Sequence, residues 1–126
     1  MTQVEPGFLC GIPVLRVADV VAAVEHYRTA FGFEIAWVRD DGIASVGLDK
    51  LQLLIADHKA APRSWVYAHL GNRSELDALF KRYRAARVKI VEEPTDRPWG
   101  LYEMRVEDLD GNVFRIACDS EKHGAH

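Results

Sequence analysis

The chain has 126 residues, enough for one domain of ordinary size. It is 48% hydrophobic and 28% charged, which argues against disorder, collagen-like repeats and coiled coil. A net charge of -3 offers no basic face for nucleic acid. No apolar run approaches the roughly 18 residues needed to span a membrane. The N-terminus lacks the basic-then-apolar layout of a signal peptide. Cys10 and Cys118 do not form metal-knuckle spacing, so two reduced thiols in a cytoplasmic protein are expected.

The first segment, 12–17, reads as a strand in which Pro13, unable to donate to a ladder, favours the start or an edge. Asp19 then stands as N-cap before Val20, Val21, Val24, Tyr27 and Phe31, an amphipathic helix ended by Gly32. Strands follow at 33–38, 43–48 and 51–56, separated by turns at 39–42 and 49–50. Residues 58–63 break the apolar pattern and read as a linker.

After the linker the order repeats. A strand at 65–70 precedes a second helix, expected to start at Ser74 with Asp77 as a capping-box partner, with Leu76, Leu79, Phe80 and Tyr83 on its apolar face. Strands follow at 88–91, 101–107 and 113–118, with a loop at 92–100 and an Asp-Gly turn at 108–112. The two halves overlay, Val14 on Tyr67 and Phe33 on Val88, with Asp19 falling on Ser74. Arg87 sits where the first half has Gly32, so that helix is expected to end differently.

Alternation divides each strand into two faces. Pro13, Leu15 and Val17 are expected toward the helix, as are Leu51, Leu53 and Ile55, Val66, Ala68 and Leu70, and Phe114 and Ile116. The opposite faces then carry Gln52 and Leu54 in the first half and Trp65, Tyr67, His69 and Arg115 in the second. Aromatic and apolar surface with a few polar groups is the lining of a small-molecule pocket; a packed second core or a dimer interface would use the same residues. Glu103 is the carboxylate expected at the edge of this surface. His69 is either a hydrogen-bonding group for a ligand or a strand-end surface group, and Trp99 either stacks on a ligand or anchors its turn. His26 is expected at the surface, His58 in the linker, and His123 and His126 in the tail. No HxxxH or HxxE spacing, Gly-x-Ser-x-Gly or cysteine-nucleophile motif is present.

Pro13-Val-Leu-Arg-Val-Ala-Asp19, Phe31-Gly-Phe33, Pro98-Trp-Gly100, Glu103 and Asp108-Leu-Asp-Gly-Asn112 together resemble the vicinal oxygen chelate superfamily, which includes glyoxalase I, extradiol dioxygenases and bleomycin resistance proteins. The last three stretches resemble the bleomycin resistance branch, with Leu109 where many relatives have proline. The resemblance implies an α+β fold of two tandem βαβββ modules whose curled mixed sheets form a cleft. Module one would span about 9–57 and module two about 64–119, with a polar tail at 120–126. In metal-dependent members four inward side chains bind one divalent ion. Those positions fall on Ile12, Gln52, Trp65 and Arg115, a set unsuited to a cation. The expectation is therefore a cofactor-free, metal-free homodimer that sequesters a planar, bleomycin-type antibiotic and confers resistance without catalysis. Its ligand-binding residues would be Trp65, Tyr67, His69, Trp99, Glu103, Gln52, Leu54 and Arg115. Arg16, Arg105 and Arg115 near the cleft would suit a neutral or anionic planar ligand better than cationic bleomycin. The alternatives are a glyoxalase-like lyase or dioxygenase with a metal site shifted to His69 or Glu103, and a structural dimer without a ligand.

Overall fold

The computed structural model describes residues 5, 7, 10–57 and 63–120. The expected positions of His58, His123 and His126, and all of the linker but Arg63, lie outside them. The element order is β1 (Val14–Arg16), α1 (Val20–Thr29), β2 (Glu34–Arg39), β3 (Ile43–Leu48), β4 (Leu51–Ala56), β5 (Trp65–His69), α2 (Arg73–Ala85), β6 (Lys89–Asp96), β7 (Leu101–Glu107) and β8 (Val113–Asp119). Two four-stranded mixed sheets have the same layout, β1-β4-β3-β2 and β5-β8-β7-β6. In each, the first strand pairs parallel with the last and the remaining pairs are antiparallel. The fold is thus α+β, built from two βαβββ modules.

Local chemistry explains most boundaries. The Asp19 carboxylate accepts from the Ala22 N–H (3.1 Å) and caps α1. Gly32 takes φ 75° as the chain leaves α1. Helix α2 starts earlier than expected: Asn72, not Ser74, is the cap, its side chain accepting from the Glu75 N–H at 2.9 Å. Asn72 also donates to the Glu75 carboxylate, so the cap is locked from both directions. Arg87 adopts φ 62°, the left-handed angle of its counterpart Gly32, so both modules leave their helices through a residue at positive φ. Such an angle costs a non-glycine residue about 1–2 kcal/mol; the Val88 N–H bond to the Tyr83 carbonyl (2.9 Å) helps hold it.

Strand β6 runs to Asp96 instead of stopping at Val91. Pro94 hid this extension, because proline argues against a central strand. β6 is an edge strand, and its pairing with β7 shifts register on both sides of Glu92, so no ladder donor is required of Pro94.

The alternation predicts the faces well, with one correction. Leu15, Val17, Leu53, Ile55, Val66, Phe114 and Ile116 are buried, whereas Pro13 is exposed. Pro13 precedes β1, beyond the helix that would cover it, and only its carbonyl joins the sheet, accepting from Leu54 N–H at 2.9 Å. Both helix-facing sides drain into one core. The Tyr27 ring of α1 packs against Phe31 (5.1 Å), Phe33 (5.5 Å) and, across the module boundary, Phe114 (6.1 Å). Phe31 meets Tyr83 of α2 at 5.1 Å. His26, expected at the surface, is half-buried beside Phe31 with its Nε2 buried and unpaired.

The 108–112 turn ties the modules together. The buried Asp108 carboxylate accepts from the Tyr27 hydroxyl (2.7 Å), the Asp110 and Asn112 N–H groups (2.9 and 2.8 Å) and the Asn112 side-chain amide (2.8 Å). Asn112 in turn donates to the Arg16 carbonyl (2.9 Å) and accepts from Ser64 N–H (2.8 Å). Asp110 accepts from Ala18 N–H at 2.9 Å. Gly111 has φ 85°, and a Cβ there would meet the Arg63 side chain at 2.9 Å. Leu109 is exposed, so nothing in the tie depends on proline at that position.

Burial and the neighbouring Asp108 charge push the Tyr27 phenol far above its ordinary range. Burial does the same to Tyr83, and burial plus its bond to Asp77 raises Tyr102 to about 12. A folded pKa above the unfolded value of about 10 gives stability that is intact below that pH and lost as pH rises beyond it. Tyr27→Phe should cost about 1–2 kcal/mol at neutral pH and leave a shallower alkaline loss than the parent protein shows. Urea unfolding between pH 7 and 11 measures both.

Candidate functional site

The sides of the sheets turned away from the helices stay open. On the first sheet, pairing places Val14, Leu54, Ser45 and Trp37 in one row. Val14 and Trp37 are exposed, and Gln52 in the next row donates to the buried Ser45 hydroxyl at 3.2 Å. On the second sheet three rows cross the strands. Trp65, Val113, Glu107 and Lys89 form one; Tyr67, Arg115, Arg105 and Glu92 the next; His69, Ala117, Glu103 and Thr95 the third. Six of the expected site residues therefore lie on or beside the second sheet: Trp65, Tyr67, His69, Glu103, Arg115 and, at the β6–β7 turn, Trp99. Gln52 and Leu54 lie on the first sheet. No hydrogen bond or ion pair joins the two groups among the described residues.

Glu103 organises the second face. Its side chain is fully buried, and Arg115 grips it with Nε at 2.7 Å and Nη2 at 3.2 Å. Arg105 Nε stands 3.4 Å from Glu103 and 3.6 Å from Glu92. Glu92 also pairs with Arg97. The hydrogen bond from Arg115, more than the bulk charge, holds the Glu103 carboxyl below the usual carboxylate range against the opposing effect of burial. Three guanidinium groups thus meet two carboxylates, leaving one excess positive charge. Arg97 Nε is buried without a partner.

The aromatic rings stand over this network. Trp65 and Tyr67 are 61% and 49% exposed, and Trp99 is 56% exposed, so Trp99 is not a buried anchor. Each ring faces an arginine: Arg105 lies 5.6 Å from Trp65, Arg115 5.8 Å from Tyr67 and Arg97 5.8 Å from Trp99. Tyr67 Oη lies 3.0 Å from His69 Nδ1, and His69 Nε2 is 3.6 Å from Asp119. Burial and the Glu103 charge raise the Tyr67 phenol above its ordinary value.

Sequence reasoning missed Glu92, Arg97 and Trp37. Glu92 belongs to the β6 extension concealed by Pro94, and Arg97 follows that extension in the β6–β7 turn. Trp37 joins the open face through a register shift between Ile35 and Trp37, which simple alternation cannot follow.

The family-implied metal positions do not suit an ion. Ile12 has no donor, and Trp65 offers only an indole N–H. Gln52 is spent on Ser45, and Arg115 is a cation bound to Glu103. Among the described residues no three His, Cys, Asp or Glu side chains are grouped to hold a metal. No helix among them is long and apolar enough to cross a membrane.

Residues 10–116 match the model of the Glyoxalase/Bleomycin resistance protein/Dioxygenase superfamily. No curated protein matches the chain in sequence. Among solved structures, a glyoxalase/bleomycin resistance protein/dioxygenase from Nocardioides superposes with a TM-score of 0.75 at 20% identity, over 94% of this chain and 87% of that one. TioX from Micromonospora sp. ML1 gives 0.73 at 22% identity, over 87% and 98%. A lactoylglutathione lyase from Agrobacterium tumefaciens gives 0.72 at 20% identity, over 90% and 96%. At these identities the likeness establishes the fold.

Because Glu103 is held below its ordinary value of about 4.3, its contribution to stability is present above that pH and lost as pH falls through its folded value. Glu103→Gln should cost about 1–3 kcal/mol at pH 7 by stripping the arginines of their acceptor. It should also flatten the acid limb of the stability profile. Thermal unfolding of both proteins from pH 7 to pH 3 measures this.

Proposed function

The chain belongs to the Glyoxalase/Bleomycin resistance protein/Dioxygenase superfamily, and within it we propose a metal-independent binding protein of the bleomycin-resistance type that sequesters a planar aromatic molecule. The observation that carries this reading is the second-sheet face. It offers exposed rings at Trp65, Tyr67 and Trp99 over an arginine–glutamate network, with no metal-binding set among the described residues. A flat heterocycle gains about 0.5–1.5 kcal/mol per stacked ring beyond the area it buries. Tyr67 and His69 supply hydrogen bonds at the rim of the same face. Holding a ligand this way makes or breaks no bond, so sequestration is the proposed activity.

The excess guanidinium charge favours a ligand that is neutral or negatively charged. A cationic drug would have to displace arginines already seated against the three rings. Bleomycin-type antibiotics fit through their planar bithiazole and are disfavoured through their charge. The open first-sheet face, with Val14, Leu54 and Trp37, is the proposed counterpart contributed by a second copy of the chain. A homodimer would thereby close a groove between two unlike faces. The competing enzyme reading, a lyase or dioxygenase with a metal at His69 or Glu103, requires Glu103 to leave Arg115, or His69 Nε2 to bind an ion with no second imidazole or free carboxylate grouped beside it among the described residues.

Titration followed by tryptophan fluorescence tests the reading. A planar aromatic carboxylate such as naphthalene-2-carboxylate should quench at micromolar to sub-millimolar concentration. Bleomycin should bind more weakly, and Trp65→Ala should weaken the carboxylate at least fivefold with little change in melting temperature. Sedimentation should show a dimer. Equal affinity of the parent and Trp65→Ala would contradict the proposal, and bleomycin binding tighter than the carboxylate would overturn the charge preference.

A further inference from the structure

The 108–112 turn joins the modules at the Arg16 end of β1 and the Ser64 end of β5. At the opposite ends of the same sheets, near Leu51 and Leu70, nothing equivalent holds them together among the described residues. A cavity of about 370 Å³ opens there. Phe33 and Leu51 line it from the first module, and Leu79, Tyr83, Phe114 and Ile116 from the second. It lies on the helix-facing side of both sheets. Trp65, Tyr67, Trp99 and Arg115 take no part in its lining, and His69 is the one residue of the open second-sheet face that reaches it.

We infer that this inter-module cavity is a second binding site, taking a small neutral molecule with a flat apolar body and one hydrogen-bonding end. Its volume falls in the roughly 300–1,000 Å³ range of ligand pockets and far exceeds the roughly 30 Å³ share of a single water. Left empty, the apolar walls forfeit the dispersion contacts that a close-packed interior supplies. The polar lining consists of Asp49, Lys50 and His69. Asp49 and Lys50 carry opposite charges on one turn, so the site presents no net field for an ion and favours a neutral ligand. Asp49 sits there in left-handed backbone, φ 53°, a conformation found most often at glycine and tolerated by Asp. His69 provides the hydrogen-bonding contact at the boundary between this cavity and the second-sheet face. Apart from the shared His69, its apolar walls come from the opposite sides of the sheets to the outer face.

2-Naphthol is a suitable probe, since it has a flat apolar body and one hydroxyl. NMR titration of the full-length protein should give saturable binding of one molecule per chain. Ring signals of Phe33, Tyr83 and Phe114 should shift while the indole signals of Trp65 and Trp99 stay fixed. Leu79→Trp and, separately, Leu51→Phe fill the space from opposite modules. Each should weaken binding more than tenfold, with thermal unfolding confirming that the variant is folded. Shifts confined to the indoles would place the probe on the outer face and overturn the inference. So would undiminished binding in a folded filled variant, or no saturable binding up to about 1 mM. A failure of the outer-face proposal leaves the ring shifts unaffected, so the two results are distinguishable.

Discussion

One buried carboxylate sets the relation between the two halves of this protein. Asp108 accepts four hydrogen bonds, three within its own turn and one from Tyr27 in the other module. A buried charge is tolerated only when its acceptor capacity is filled, so the turn and the module boundary must form together. Once Tyr27 is fixed, its ring meets Phe114, and the two helix-facing sides become one core. The opposite sides are left open, and the modules part at the end of the strands away from the tie. Both proposed binding regions follow from this arrangement: open faces outside, and a cavity where the tie does not reach.

Much of this was legible in the residues. Period-two alternation assigned Leu15, Leu53, Val66 and Phe114 to the core and Trp65, Tyr67 and His69 to the open side, because a strand face depends only on spacing. Asp19 announced its helix because an N-cap acts over three residues. Elsewhere the decisive chemistry was less visible. Asn72 displaced Ser74 as cap because its exchange of bonds with Glu75 starts the helix a turn-fraction earlier. Pro94 concealed a strand that tolerates it only as an edge. Arg87 holds an angle its residue type disfavours, and the Val88 N–H bond to the Tyr83 carbonyl helps hold it there. The Asp108-to-Asn112 run was recognisable as a family mark, but its work as a tie became visible only when Tyr27, Arg16 and Ser64 were placed around it. The cavity near Leu51 and Leu70 has no local signature, since its walls come from segments distant in sequence.

The duplication also clarifies the chemistry. Equivalent positions in the two modules, Ile12 with Trp65 and Gln52 with Arg115, are where metal-dependent relatives place ligands. Here the second pair has been drawn into other contacts. Arg115 clamps Glu103, and the Glu103 carboxylate that might have met a cation is enclosed by guanidinium groups. The same network that disfavours a metal seats a cation beneath each exposed ring. On the proposed reading, the network that suits no metal would also disfavour a cationic ligand.

The central claim is that binding by this chain does not run through a metal ion. The most direct measurement is elemental analysis of the purified protein after incubation with zinc, nickel and manganese and removal of unbound ion. The account predicts well below one tenth of an ion per chain, and unchanged stability in the presence of a chelator. One ion per chain, retained through gel filtration and lost on Glu103→Gln, would contradict it.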